Sequence, residues 1–252
     1  MDGTDLSYPG YQGVSHDDPL FGIPQVDRRQ HLYTIGRTGS GKTTLLGVLS
    51  VFIPDDERLI TIEDAYELGI DRSDRHPDHD MLQSRPANIE GQGEVTLLDL
   101  TRMALRMDPD RVIVGEVRGG EAFPMLLAMS QGNNGSMCTM HADSTRSVFP
   151  KLAAYVSMAD TGLPVEIVNL LLANALHFVV HIELVDGARR IVSVREVVDA
   201  EGGQIISNEV FARDAEGVAI AAAPLRDSSA LLFEQYGFES RAHRRADAWG
   251  SR

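Results

Sequence analysis

His31-Leu32-Tyr33-Thr34-Ile35-Gly36-Arg37-Thr38-Gly39-Ser40-Gly41-Lys42-Thr43-Thr44 is the stretch that decides the fold. His31 to Ile35 is a short run rich in apolar and β-branched side chains, which predicts a buried strand. Gly36 to Thr43 fits the pattern G-x-x-x-x-G-K-[ST] in full, and Lys42 to Phe52 has helical spacing. Strand, glycine loop and helix in that order make a phosphate loop. Its glycines let the backbone wrap until successive N–H groups point at phosphates, Lys42 adds a cation for the β and γ groups, and Thr43 offers a hydroxyl to magnesium. The expected ligands are therefore ATP and Mg2+.

Working outward, Arg58 to Ile62, Arg111 to Val114 and Ser136 to Met140 are further short strand-like runs. Helical segments are predicted over Thr96 to Met107, from Pro124 to Gln131, and from Pro164 to about His177. Ser144 suits the N-cap of another helix, in which Pro150, inside Ser147 to Met158, predicts a kink or a break. This alternation implies βαβ units, hence an α/β fold with a mainly parallel sheet. After His177 the period becomes two, with Val180, Ile182 and Leu184 alternating with His181 and Glu183. Asp186-Gly187 then supplies a tight hairpin turn, Ile191 to Val198 returns, and Glu201 to Gly203 and Asp214 to Gly217 punctuate two further strands. Ser229 to Tyr236, with Gly237 behind it, reads as a closing helix. Residues 1–27 read as a loose leader, 28–238 as the structured unit ending in a small antiparallel β region, and 239–252 as a frayed tail.

Several strands end in polar residues. Glu63 and Asp64 close the second strand, with Glu67 nearby; they read either as a helix N-cap or as contacts to a metal and its water shell. Glu116 stands at the tip of Arg111 to Val114, where a carboxylate can bind the magnesium shell or orient attacking water. His141 ends Ser136 to Met140. Arg118, in the turn after Glu116, could sense phosphate, touch a neighbouring subunit or simply be solvated. Gly36, Glu63, Glu116 and His141 thus share one sheet edge, and ligands of open α/β sheets sit outside the carboxyl ends of the strands.

Composition narrows the class further. At 252 residues and 43% hydrophobic content the chain can build a core unaided. Its single cysteine, Cys138, forms no internal bridge, no secretory leader is visible, and the apolar stretch Asn169 to Val185 is interrupted by polar residues; a cytoplasmic setting is expected. The net charge of -14 disfavours nucleic acid as a partner. Met103, Met107, Met125 and Met129 read as core, and the His76 to Asp80 segment reads as a solvated loop rather than a metal site.

The order of motifs resembles the secretion ATPases of the type II/IV superfamily and, within it, the CpaF or TadA-like motors of tight-adherence (Flp) pili. Gly36 to Thr44 is similar to their Walker A box, Thr61 to Leu68 (TIEDAYEL) to their Asp box, Leu105 to Glu121 to their Walker B region and Gly132 to Ser144 (GNNGSMCTMHADS) to their His box. Ser84 to Glu94 is similar to the loop connecting the boxes. The resemblance spans roughly Arg28 to Phe238. It implies a RecA-like core, a hexameric ring at the cytoplasmic face of the inner membrane, membrane platform proteins as partners, and ATP hydrolysis driving secretion or pilus assembly. Lys42 and Thr43 would hold phosphates and metal, Glu63 and Glu116 would act on magnesium and water with the principal base left open, and His141 would report the γ-phosphate. The family's sizeable amino-terminal domain is expected to be replaced here by the short leader. Asn133 and Asp108 replace a customary histidine and arginine, which leads us to expect weaker hydrolysis. A nucleotide-binding scaffold with little turnover is the alternative; a small-molecule kinase lacks support for want of an Arg-rich lid, as does a transporter ATPase for want of a Leu-Ser-Gly-Gly-Gln signature.

Overall fold

A computed structural model describes residues 30–70, 76–201 and 203–234. Along the chain these form β1 (Leu32–Ile35), α1 (Lys42–Ser50), β2 (Leu59–Glu63), β3 (His79–Gln83), α2 (Leu97–Ala104), β4 (Arg111–Val114), α3 (Ala122–Ser130), β5 (Met137–Met140), α4 (Val148–Ser157), α5 (Val165–Ala175), β6 (Phe178–Val185), β7 (Ala188–Glu201), β8 (Gln204–Arg213), β9 (Ala219–Ala221) and α6 (Asp227–Glu234). The leader and tail inferred from sequence lie outside the described residues, as does the end of the closing helix.

All strands join one nine-stranded sheet in the order β3-β2-β4-β5-β1-β6-β7-β8-β9. Pairing is parallel from β3 to β6 and antiparallel from β6 to β9. The expected antiparallel region therefore continues the parallel sheet instead of standing apart from it. Side chains alternate between two cores. Tyr33 and Ile35 face the cluster built with Leu100, Met125, Leu152 and Leu172 of α2 to α5, whereas Leu32 faces Leu46 of α1 and Phe233 of α6. Helices thus cover both sheet faces, which is why the central strands are apolar throughout rather than alternating. Each fully buried large apolar side chain contributes about 1.5–3 kcal/mol.

Four sequence expectations change. Residues His79 to Gln83 form an edge strand parallel to β2, not a solvated loop, and His76 is buried with Nε2 3.1 Å from Ser50 O. Pro150 neither kinks nor breaks α4, because it falls in the first turn, where a missing N–H deprives no intrahelical bond. The N-cap of that helix is Ser147 rather than Ser144. Met103, expected in the core, is exposed on α2, whereas Met125 and Met129 are buried. The hairpin turn itself forms as expected, with φ of 50° at Asp186 and 80° at Gly187.

The amino-terminal edge of the sheet is tied by polar links. Arg58, preceding β2, pairs with Asp78 and, at 2.6 Å, with Asp80. Arg111, at the start of β4 and 2% exposed in its side chain, pairs with Glu57. His31 and His177, ahead of β1 and β6, stack with centroids 5.0 Å apart, and the His31 N–H donates to His177 Nδ1 at 2.9 Å.

Candidate functional site

The phosphate loop leaves β1 at Gly36 and enters α1 at Gly41, whose φ of 95° lies in the left-handed region that favours glycine. At Gly36 an added Cβ would lie 2.3 Å from Ile182 O, so only glycine lets the loop pass β6. No side chain caps α1. Its first-turn N–H groups and the positive end of its dipole are directed to the loop.

Lys42 is buried, at 7% exposure. Among the described residues its Nζ makes one hydrogen bond, to Arg37 O at 3.3 Å, and has no carboxylate within ion-pair distance. Burial pulls its pKa below the usual lysine range, while the more distant charges of Glu116 and Glu67 act against that shift. An ammonium with three donors, held in this state, is a site for an anion. The buried Oγ of Ser40, beneath Gly36, also lacks a partner among the described residues.

The four polar strand ends assemble on one edge, because β2, β4, β5 and β1 are consecutive and parallel. Glu116 Oε1 lies 2.7 Å from His141 Nε2, and both side chains are partly exposed. Lys151 of α4 donates to His141 O at 2.6 Å, fixing the histidine's backbone. Thr139 Oγ1 donates to Gly115 O at 2.6 Å and so locks the two strand ends together. Glu63 is buried, and its Oε2 accepts from the N–H groups of Glu67 and Leu68 at 2.8 and 2.9 Å. It organises the turn after β2, while Glu116 stands more open. Asp64 and Arg118 form an ion pair of 2.5 Å, so Arg118 points across to the β2 end. Glu121, not anticipated from sequence, accepts from Arg118 N and Gly119 N at 2.6 and 2.8 Å and shapes that turn. Its location three residues after an arginine in a Gly-Gly turn was the available signal; Lys151 gave none.

The donors fit magnesium in kind: a hydroxyl from Thr43 and a carboxylate from Glu116 are hard oxygen ligands. No cluster of three or more His, Cys, Asp or Glu side chains suited to a metal occurs among the described residues. Asn133 and Asp108 lie at the opposite edge, ahead of β5 and β4. Asn133 Nδ2 bonds to Pro109 O and Asp108 has φ 55°, so these departures serve turns remote from the loop. A separate apolar cavity of about 40 Å³, lined by Leu45, Leu49, Phe178, Val194, Phe211 and Phe233, is too small for a nucleotide.

A glycine loop on a RecA-like sheet, with a carboxylate and a histidine at neighbouring strand ends, defines the P-loop class. Residues 24–221 match the family described as type II/IV secretion system protein, and the chain belongs to that family. It is 37% identical over 202 residues to a putative conjugal transfer protein of Mycobacterium tuberculosis, covering 80% of this chain and 55% of the relative. It is 40% identical over 173 residues to the type IV secretion system protein VirB11 of Brucella suis, covering 67% and 47%. The chain spans about half the length of these curated relatives. The solved VirB11 ATPase of the Brucella suis system, in complex with sulphate, superposes with TM-score 0.57 and 38% identity over 66% of this chain and 49% of that one. The ATPase DotB of Legionella pneumophila shares the fold at TM-score 0.50 and 17% identity, over 88% and 53%. No described helix is long and apolar enough to cross a membrane.

Proposed function

We propose that this chain binds ATP with magnesium at the Gly36 to Thr44 loop and hydrolyses it as a motor subunit of a type II/IV secretion machine, specifically a Flp-type pilus assembly system of the CpaF or TadA kind. The observation that supports this best is Lys42, a buried lysine at the mouth of an uncapped helix whose ammonium makes one hydrogen bond among the described residues. Residues 28–238 act as one ATPase domain that includes the β6–β9 extension. In the assembled machine it forms a hexameric ring at the inner face of the cell membrane, against membrane platform proteins.

In this mechanism the loop N–H groups, Lys42, Arg37 and Thr44 hold the phosphates. Magnesium, when bound, offsets phosphate charge, and Thr43 and Glu116 are the side chains placed to hold it or its waters, with Glu63 supporting them from β2. Glu116 accepts the proton of the water that attacks the γ-phosphorus, as ADP departs. His141 orients Glu116 and responds to the terminal phosphate. Arg118 remains clasped to Asp64 until a neighbouring subunit or a phosphate competes for it.

The test is nucleotide binding, turnover and assembly state of the purified chain beside Lys42→Ala and Glu116→Gln. Lys42→Ala should abolish binding, and Glu116→Gln should bind normally but turn over about 10²–10⁴-fold more slowly. Wild-type chain that binds ATP yet shows no more turnover than Glu116→Gln would refute the motor and leave a nucleotide-binding scaffold. Loss of pili without loss of other secretion on disrupting the gene distinguishes the pilus assignment from a general secretion role.

A further inference from the structure

The β6–β7 hairpin folds against the phosphate loop. A Cβ built on Gly41 would lie 2.4 Å from Arg189 Cδ and 2.9 Å from Arg189 Nε, so the stem of this arginine rests on the N-cap residue of α1. Arg189 is exposed, and among the described residues no carboxylate lies within ion-pair distance of it. Its neighbours differ: Arg213 pairs with Glu183 at 2.5 Å, and Arg190 stands opposite Glu183 in the hairpin register. Arg189 therefore brings positive charge to the N-cap of α1, at the positive end of the helix dipole, in a chain whose net charge is -14. A guanidinium with no carboxylate beside it, set at a helix N-terminus, attracts an anion to that place.

The sheet order says which part of a nucleotide lies there. Glu116 and His141 come from β4 and β5, on one side of β1, and Lys42 feels the charge of Glu116. The terminal phosphate belongs on that side. β6 and β7 lie on the other side of β1, so the hairpin meets the phosphate chain where it joins the nucleoside.

We infer that Arg189 binds the α-phosphate of the nucleotide, a contact that the β6–β7 hairpin supplies within the same chain. This rests on the nucleotide site proposed above, and it gives the antiparallel extension a direct part in ligand binding. A guanidinium presents two N–H groups in a planar fork that matches two phosphate oxygens, a fit that a lysine's rotating ammonium lacks.

The experiment titrates the full chain and its Arg189→Ala, Arg189→Lys and Arg190→Ala variants with ADP and with inorganic tripolyphosphate, with Lys42→Ala as reference. Arg189→Ala should bind both ligands about tenfold more weakly, the size of a lost charge-assisted hydrogen bond. Arg189→Lys should recover part of that loss, and Arg190→Ala, on the opposite face of β7, should match wild type. A thermal midpoint equal to wild type shows that Arg189→Ala is folded. Unchanged or tighter ADP binding overturns the inference while leaving the loop as the nucleotide site. Weakened ADP binding with unchanged tripolyphosphate binding places Arg189 on the base or ribose and also overturns it. If wild type and Lys42→Ala are equally unable to bind either ligand, the nucleotide site itself fails.

Discussion

Acidification should unfold this protein through the stacked pair His31 and His177, before its carboxylates are protonated. Burial is the main reason that the His31 pKa falls from 6.5 to about 3, with the charge on His177 and then Arg111 adding to it. Burial, and secondarily Arg226, lowers His177 from 6.5 to about 4. The hydrogen bond from His31 N to His177 Nδ1 also requires that nitrogen to be unprotonated. The sign follows from proton uptake. Below its ordinary pKa the unfolded chain binds protons that the folded chain refuses, so stability is complete above about pH 6.5 and declines as the pH falls toward the folded values. At about 1.4 kcal/mol per pKa unit, each ring withdraws about 2 kcal/mol between about pH 7.5 and about pH 5. The pair together then removes a large share of the stability of an ordinary domain, about 5–15 kcal/mol. Urea unfolding midpoints across that range measure the effect. His177→Gln, which keeps an acceptor for the His31 N–H without titrating, should reduce the pH slope by about half. A wild-type slope near zero above pH 5, or a His177→Gln slope equal to wild type, would refute the reasoning.

Two substitutions probe the loop and the opposite edge. Gly36→Ala puts a Cβ 2.3 Å from Ile182 O, a backbone atom that cannot swing aside; it should destabilise by about 1–3 kcal/mol and weaken ADP binding more than tenfold, an order-of-magnitude figure checked by denaturation and titration. Arg111→Met leaves Glu57 without its buried partner and should reduce stability by about 3 kcal/mol, the low end for a broken buried pair because Glu57 keeps 21% of its side chain exposed. Denaturation of the single and the Glu57→Gln double variant tests this: the double should recover part of the loss, and a single-variant loss under about 1 kcal/mol would contradict it.

What could be read from sequence was local. Leu32 to Ile35, the glycine loop and Lys42 to Ser50 carry their structure in adjacent residues, and the Asp186-Gly187 turn has residue types that tolerate positive φ. The alignment of Glu63, Glu116 and His141 on one edge was legible because every preceding strand ends in the same polar fashion and parallel strands share a direction. β3 was not, since His79 to Gln83 is an edge strand whose residues are only half covered and whose sequence opens on Pro77 and acids. Burial of His181 was hidden for a related reason: period two marks a strand, whereas the number of covered faces depends on neighbours distant in sequence. The engagement of Glu63 by Glu67 and Leu68, and the seat of Arg189 on Gly41, depend on geometry that no spacing encodes.

The links at the amino-terminal edge, Arg58 with its two aspartates, Arg111 with Glu57 and His31 with His177, lie a strand length away from Lys42, Glu116 and His141. Selection can therefore act on the two rims separately. A library scored for survival of heat and one scored for ATP turnover should recover largely disjoint sets of positions, and variants drawn from the two should combine additively. Such a molecule can be hardened from below without touching its chemistry, and its chemistry can drift above a frame that stays intact.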